Sequence, residues 1–287
     1  MAENLIVASQ RAEEIIRRLR IREPSEIDLQ DIAMERGVLV RERILRGSEA
    51  RLVRKGRSGI ITVDRSIPEE GRKRFAIAHD LGHFELHRES QLLFCTEQDM
   101  VVWNENKPQE IEANEFAASM LIPRDLFLAR IGKEKPNLDT VKSLAEEFRT
   151  TLTATAVRYA QLSPEPCAAV ISRDGVIKWY RKSSRFRHHV KVGSTLTTNT
   201  YAGDYFDGCD IPHKPLKAPA YAWLAGNNVD GEADIMEHSM AFTRYNVVLS
   251  LLWIYEDVRP SWQRDEDEKE PVDLTDSFTP EGRRWQW

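Results

Sequence analysis

Cysteine is scarce in this chain. Three residues, Cys95, Cys167 and Cys209, lie far apart in 287 positions with no C-x-x-C spacing, which excludes both a disulfide framework and a cysteine-bound structural zinc. Long apolar runs are missing as well. No stretch approaches the roughly 20 apolar residues a membrane span needs, and the opening MAENLIVASQRAEEIIRRLR mixes acids and arginines through an apolar pattern where a signal peptide has an unbroken core. Excess positive charge is absent: at a net charge of -5 the chain has no global attraction for nucleic acid, so such contacts would need a local basic surface. No internal repeat is visible. These absences point to a soluble, cytoplasmic protein with no membrane contact, folded around packed cores, and the length suggests two or three units at roughly 100 to 200 residues each.

The periodicity predicts a first helix from about Asn4 to Arg20 with Ile6, Ile15, Ile16 and Leu19 on its buried stripe, and a second between Ser25 and Gly37. GVLVRERIL, EARLVRKG and SGIITVDRSI read as three short strands of a small antiparallel sheet, the last covering Gly59 to Ile67. A helix opens after Pro68 and runs through RKRFAIAHDLGHFELH. The segment Arg88 to Lys107 is less regular and reads as a short strand pair or a cover over a site. QEIEANEFAASMLI is a further helix, ended by Pro123, and PRDLFLARIG a short one. DTVKSLAEEF and LTATAVRYAQL follow as a helical pair. Beyond Pro166 the pattern turns to strands.

The chemistry sits in AHDLGHFELH. Residues i and i+4 of a helix share one face, so His79 and His83 can offer imidazole nitrogens to one ion at about 2.0 to 2.1 Å. A histidine pair at this spacing also arises by chance in surface or core helices, and a third ligand is needed to make a catalytic site. The acidic helix EIEANEFAA supplies candidates: Glu112, one turn before the apolar Phe116, is the best placed, Glu115 is an adjacent alternative and Glu110 a poorer one. Gly82, between the histidines, leaves room for a sheet or a substrate to approach.

RKRFAIAHDLGHFELH followed by EIEANEFAASMLIP resembles the ImmA/IrrE family of metallopeptidases, whose pattern is a basic pair, F-x-x-A-H-E-L-G-H with a later histidine, then E-A-N-x-F-A-x-x-L-L-x-P. The resemblance implies a minimal, thermolysin-like zincin in which His79, His83 and Glu112 bind Zn2+ and an edge strand aligns the substrate backbone. His87 matches the later histidine and reads as a support for a ligand more than as a fourth ligand, which would close the open coordination position. One letter departs from the pattern. The family has glutamate after the first histidine, as general base on the attacking water and proton donor to the leaving amine; Asp80 keeps the charge but is one methylene shorter.

DTVKSLAEEFRTTLTATAVRYAQL has a helix-turn-helix outline with Thr151 as N-cap of its second helix. A DNA-reading role would use Thr153, Thr155 and Arg158 with Lys142 and Arg149 on phosphates, but Glu146, Glu147 and the acidic chain favour a structural pair. YRKSSRFRHHVKVG is the most basic stretch and reads as a solvated strand face and loop, with an acidic partner or nucleic acid as the alternative. His188, His189, His213 and His238 lack the spacing of a second metal site. In some family members a GAF-like sensor occupies this part of the chain.

The expected architecture is therefore α+β: a zincin-like domain over 1–134, a helix-turn-helix-like pair over 135–164, a mixed α/β or mostly β sensor or substrate-selecting domain over 165–258, and an acidic, disordered tail over 259–287. The expected function is zinc-dependent endoproteolysis of a protein target. The resemblance implies that the target is a helix-turn-helix transcriptional repressor, in stress response, mobile-element control or a toxin-antitoxin pair. The alternative is a catalytically weak zinc-binding regulator that binds a repressor or DNA. The sequence does not define an oligomeric state.

Overall fold

The computed structural model describes residues 2–87, 92–95, 108–132, 134–226 and 229–255. The expected acidic tail and most of the irregular segment between 88 and 107 lie outside the described residues.

Helix α1 (Ala2–Arg18) buries Ala8, Ala12, Ile15 and Ile16, one face of a 3.6-residue period. Ile6, expected on that stripe, is 56% exposed; two residues from Ala8 is about 200° round the axis, which turns it outward. Helix α2 (Leu29–Glu35) opens at Asp28, whose carboxylate accepts from the Gln30 and Asp31 amides at 2.8 and 3.2 Å. It closes at Gly37, whose φ of +79° takes the chain straight into the first strand.

That strand, β1 (Val38–Arg43), is joined by β2 (Ala50–Lys55), β3 (Ser58–Asp64) and β4 (Leu92–Cys95) in the order β1-β3-β2-β4. The β2–β3 hairpin is antiparallel and β4 pairs antiparallel with β2, but β1 runs parallel to β3. The sheet is thus mixed where three antiparallel strands were expected. The tight β2–β3 turn and the pairing of β2 with β4 fill both sides of β2, leaving β1 the far side of β3. This has a functional consequence: the strand around Gly59 to Ile67 is internal and is not the edge strand that the resemblance implies for aligning a substrate, and among the described residues the outer strands are β1 and β4. Val38, Val40, Ala50, Leu52, Ile61 and Val63 share one face by the alternation of strand side chains.

Helix α3 (Glu70–Leu86) crosses that face. Every residue from Ala76 to Phe84 is buried, so the helix is enclosed on all sides, by the sheet on one and by α4 (Pro108–Leu121) on the other. Pro108 suits the first helical turn, where no amide is needed. The short α5 (Arg124–Leu128) follows Pro123, and α6 (Leu138–Phe148) and α7 (Leu152–Leu162) form the helical pair. Arg149 ends α6 in the left-handed region at φ 54°, and the Thr151 hydroxyl caps α7 through the Ala154 amide.

The C-terminal part is a five-stranded antiparallel sheet, β6-β5-β11-β10-β8, built from β5 (Cys167–Arg173), β6 (Val176–Lys182), β8 (Leu216–Pro219), β10 (Asp234–Phe242) and β11 (Val247–Trp253). A two-stranded ribbon, β7 (His189–Val190) with β9 (Leu224–Ala225), and the short helices α8 (Tyr201–Phe206) and α9 (Ala220–Trp223) cover one side. Strand β11 is buried at every position, as both faces are covered. Cys167, Ala169, Ile171, Leu249, Leu251 and Trp253 face the helices and join a core continuous with α1 and α3, whereas Ala168, Val170, Val248 and Leu252 pack on Phe186, Trp223 and Leu224.

Candidate metal centre

The histidine helix and the acidic helix pack closely because Gly82 has no side chain. A Cβ there would lie 3.1 Å from the Phe116 ring and 3.2 Å from the Ala113 backbone. The space left by Gly82 is therefore taken by α4, where the sequence suggested a sheet or substrate. This approach brings one carboxylate of α4 to the two imidazoles. His79 Nε2 and His83 Nε2 are 3.1 Å apart, and Glu110 Oε2 is 3.2 Å from the first and 3.4 Å from the second. Both histidines are wholly buried.

Among the described residues this trio is the group of histidine, cysteine or acidic side chains whose ligand atoms converge. The spacing suits a tetrahedral ion: ligands held at 2.0 to 2.1 Å stand about 3.3 Å from one another. The outer nitrogens agree with it. His79 Nδ1 lies 2.9 Å from Asn114 Oδ1 and His83 Nδ1 lies 2.9 Å from His87 Nδ1, so protons placed on both Nδ1 atoms leave both Nε2 lone pairs directed at the centre. Three lone-pair donors converging in a buried space are mutually repulsive, and a cation relieves that repulsion. The residues fit a metal ion.

The electrostatics are consistent. Burial pushes His83 down to about 4 despite its hydrogen bond to Glu110, so its imidazole is neutral and ligand-competent at neutral pH. Burial works against charge on Glu110 too, but an imidazole that carries its proton on Nε2 donates to the carboxylate and holds it well below the usual carboxylate range, whereas with the protons on Nδ1 the same carboxylate faces two lone pairs.

The other sequence candidates take different positions. Glu112, expected as the third ligand, bonds His87 Nε2 at 3.0 Å and accepts from Asn4 Nδ2 at 2.7 Å. Glu110 and Asn114, one turn apart, share the face towards α3, whereas Glu112 is about 200° round the axis from Glu110 and meets the residue that caps the end of α3. Glu115 turns to Arg158 and Ser119, at 3.4 and 3.3 Å. Asp80 is wholly buried on α3, beside His79 in the chain. The pairing of Glu110 with Asn114 was present in the sequence as an E-x-x-x-N spacing, the same i, i+4 logic that singled out the histidines, but the apolar Phe116 drew attention to Glu112 instead.

Two of the three residues that a DNA-reading role would use are enclosed. Thr155 and Arg158 are buried, and the Arg158 guanidinium donates to the Ile122 carbonyl at 3.2 Å and to Ser119 at 3.3 Å. Of the C-terminal histidines, His238 is buried and its Nδ1 accepts from the Leu138 amide at 3.0 Å, tying β10 to the start of α6.

Similarity to known proteins agrees with this geometry. Residues 33–159 match the peptidase M78 family, described as the IrrE N-terminal-like domain. A Mycobacterium tuberculosis transcriptional regulator shares the fold, with a TM-score of 0.53 at 15% identity over 86% of this chain and 87% of that one. No curated protein matches the chain significantly. No described helix is long and apolar enough to cross a membrane. The matched segment carries the HDLGH helix, the acidic helix and the helical pair, and over it the chain is similar to the IrrE N-terminal-like domain of that peptidase family.

Proposed function

We propose that the chain is a zinc-dependent endopeptidase that cuts a regulatory protein, of which a helix-turn-helix transcriptional repressor is the best candidate, within a cytoplasmic circuit of the stress-response, mobile-element or toxin-antitoxin type. The observation that carries this reading is the convergence of His79 Nε2, His83 Nε2 and Glu110 Oε2 within 3.4 Å. A zinc ion held there would supply Lewis acidity for the scissile carbonyl and lower the pKa of water towards neutrality. Three protein ligands leave a fourth position open.

The remaining steps belong to the chain. Asp80 accepts a proton from the attacking water and delivers it to the departing amine as the C–N bond breaks. Among the described residues β4 is an outer strand, paired on one side with β2, and its other side is the position at which an extended peptide adds as a further strand. The C-terminal sheet region acts as sensor or substrate selector.

A second reading, a zinc-binding regulator with little hydrolytic activity, is favoured by one feature: Asp80 is a methylene shorter than the usual base. The test uses the zinc-loaded chain and any helix-turn-helix repressor found in a neighbouring reading frame. A single cut is expected, lost in His79→Ala and in Asp80→Ala, with zinc retained in the latter. Cleavage that survives Asp80→Ala rules out Asp80 as the base. A repressor that stays whole in a tight complex supports the regulator.

A further inference from the structure

We propose that His87, Glu112 and Asn4 form a positioning relay behind His83, fixing its imidazole in the Nδ1–H tautomer so that Nε2 is free for the ion. This rests on the metal reading above, but the relay is argued from its other end. The Asn4 side-chain amide nitrogen can only donate, so Glu112 Oε1 accepts at 2.7 Å. The second oxygen of the same carboxylate lies 3.0 Å from His87 Nε2, and an ionised carboxylate accepts only, which places the His87 proton on Nε2. A neutral imidazole with its proton on Nε2 has a bare Nδ1. That atom lies 2.9 Å from His83 Nδ1, so His83 must donate there, and its own Nε2 is left bare.

With His87 singly protonated, each choice follows from the previous one without invoking a metal. The order of donors is Asn4 to Glu112, His87 to Glu112, His83 to His87, and it ends on a lone pair aimed at Glu110 and His79. Burial supports the chain of inference: His83 is wholly buried and His87 only 9% exposed, so solvent has little access to satisfy either Nδ1. The relay also reaches outside the metal helices, since Asn4 belongs to α1, which lies along α4 and bonds it again through Ser9 to Ser119 at 2.9 Å. Helix α1 thereby helps set the orientation of a ligand it does not touch.

The test is carried out on the full chain. Long-range ¹H–¹⁵N correlation of the histidine rings in the metal-free protein is expected to show His83 protonated on Nδ1 and His87 on Nε2; His83 protonated on Nε2 overturns the relay. Zinc affinity is then measured by chelator competition, and the ligand field by visible absorption of the cobalt-substituted protein. His87→Ala is expected to weaken zinc binding by about 10- to 100-fold, the usual loss when the partner of a ligand histidine is removed. His87→Gln, whose amide oxygen can accept from His83 and whose nitrogen can donate to Glu112, is expected to restore most of that loss and the cobalt spectrum.

Circular dichroism and melting confirm that each variant is folded before affinity is compared. A folded His87→Ala chain that binds zinc like the wild type overturns the proposal. So does a His87→Gln chain as weak as His87→Ala, since the ring would then matter only for its bulk. A wild type that takes up no zinc overturns the metal reading, while the tautomer of His83 still decides the relay.

Discussion

Glu110 and Glu237 are both carboxylates taken out of water, one between helices α3 and α4 and one beneath the C-terminal sheet, and for both the largest single influence is burial resisting the charge. Their neighbours lead to opposite outcomes. Glu237 is 1% exposed and accepts from the Tyr201 and Ala202 amides, the Trp223 indole and the Ser239 hydroxyl, at 3.2, 2.7, 2.8 and 2.7 Å. These neutral donors occupy both oxygens, and burial still pushes the carboxyl up. Glu110 instead meets two imidazoles, which hold its carboxyl down when they carry protons on Nε2 and turn lone pairs to its Oε2 when they do not. One carboxylate is closed by protein donors and is structural. The other is open towards a shared point in space, and such an arrangement can take an ion.

The sharpest way to break that comparison is to remove charge from each. Glu110→Gln should weaken zinc binding by more than about a hundredfold, beyond what loss of a supporting partner does, with the fold retained. Glu237→Ala should leave zinc affinity unchanged and cost about 3 kcal/mol or more, because four donors lose their acceptor in a buried place. Chelator competition and urea unfolding on both variants separate the roles. A loss of zinc in Glu237→Ala with the fold intact would show that the two regions are coupled.

Each carboxylate meets a helix that carries a closely packed glycine, Gly82 in α3 and Gly203 in α8, and the second prediction uses them. Gly82→Ala forces its Cβ against the Ala113 backbone, which pushes α4 away. It should cost about 1–3 kcal/mol as an overpacking change and also weaken zinc binding, since Glu110 moves with α4. Gly203 lies in α8, whose first amides Glu237 caps, and a Cβ there would meet the Thr197 carbonyl oxygen at 2.1 Å. Gly203→Ala should therefore destabilise without changing metal affinity, measured in the same two assays.

The two regions should also respond to pH with opposite sign. His83 has a folded value of about 4 against an ordinary 6.5, so in the metal-free chain its contribution is present above pH 6.5 and is lost as pH falls towards 4, by roughly 3 kcal/mol at most. Glu237 has a raised value, so its contribution is present below pH 4.5 and is lost as pH rises through the folded value. Urea stability measured against pH should lose the first slope in His83→Ala and the second in Glu237→Gln. Unchanged slopes would contradict the assignments.

The contrast also explains what could be read in the sequence. The histidine pair, the acidic helix, the N-cap Thr151 and the strand-rich C-terminal part depend on local spacing and turn chemistry, and all are present. What local spacing does not carry is which of several carboxylates on one helix faces a partner helix. Glu110, Glu112 and Glu115 lie within two turns, and the approach of α3 and α4 over Gly82 selected among them. Strand order was hidden for a similar reason: β4 pairs with β2 across the whole of α3, so β3 became internal. Glu237 gave no signal, because an acid in an apolar strand is recognised only when α8 and Trp223 are seen to supply its donors.

The smallest effect tests how finely the closed site is built. Thr200 precedes α8, is 1% exposed, accepts from the Gly203 amide at 3.0 Å and donates to the Thr197 carbonyl at 2.9 Å. It caps the one amide of the first turn that Glu237 does not reach, so the hydroxyl and the carboxylate divide the amides of residues 201 to 203 between them. Thr200→Ala should cost about 1 kcal/mol, the usual value of an N-cap, and Thr200→Ser should recover nearly all of it. In the Glu237→Ala background the same change should cost a different amount, since the two caps share one helical turn and their effects are not expected to add. Strict additivity in that double-mutant cycle would mean that the hydroxyl and the carboxylate act independently, and the closed site would then be two separate caps instead of one unit.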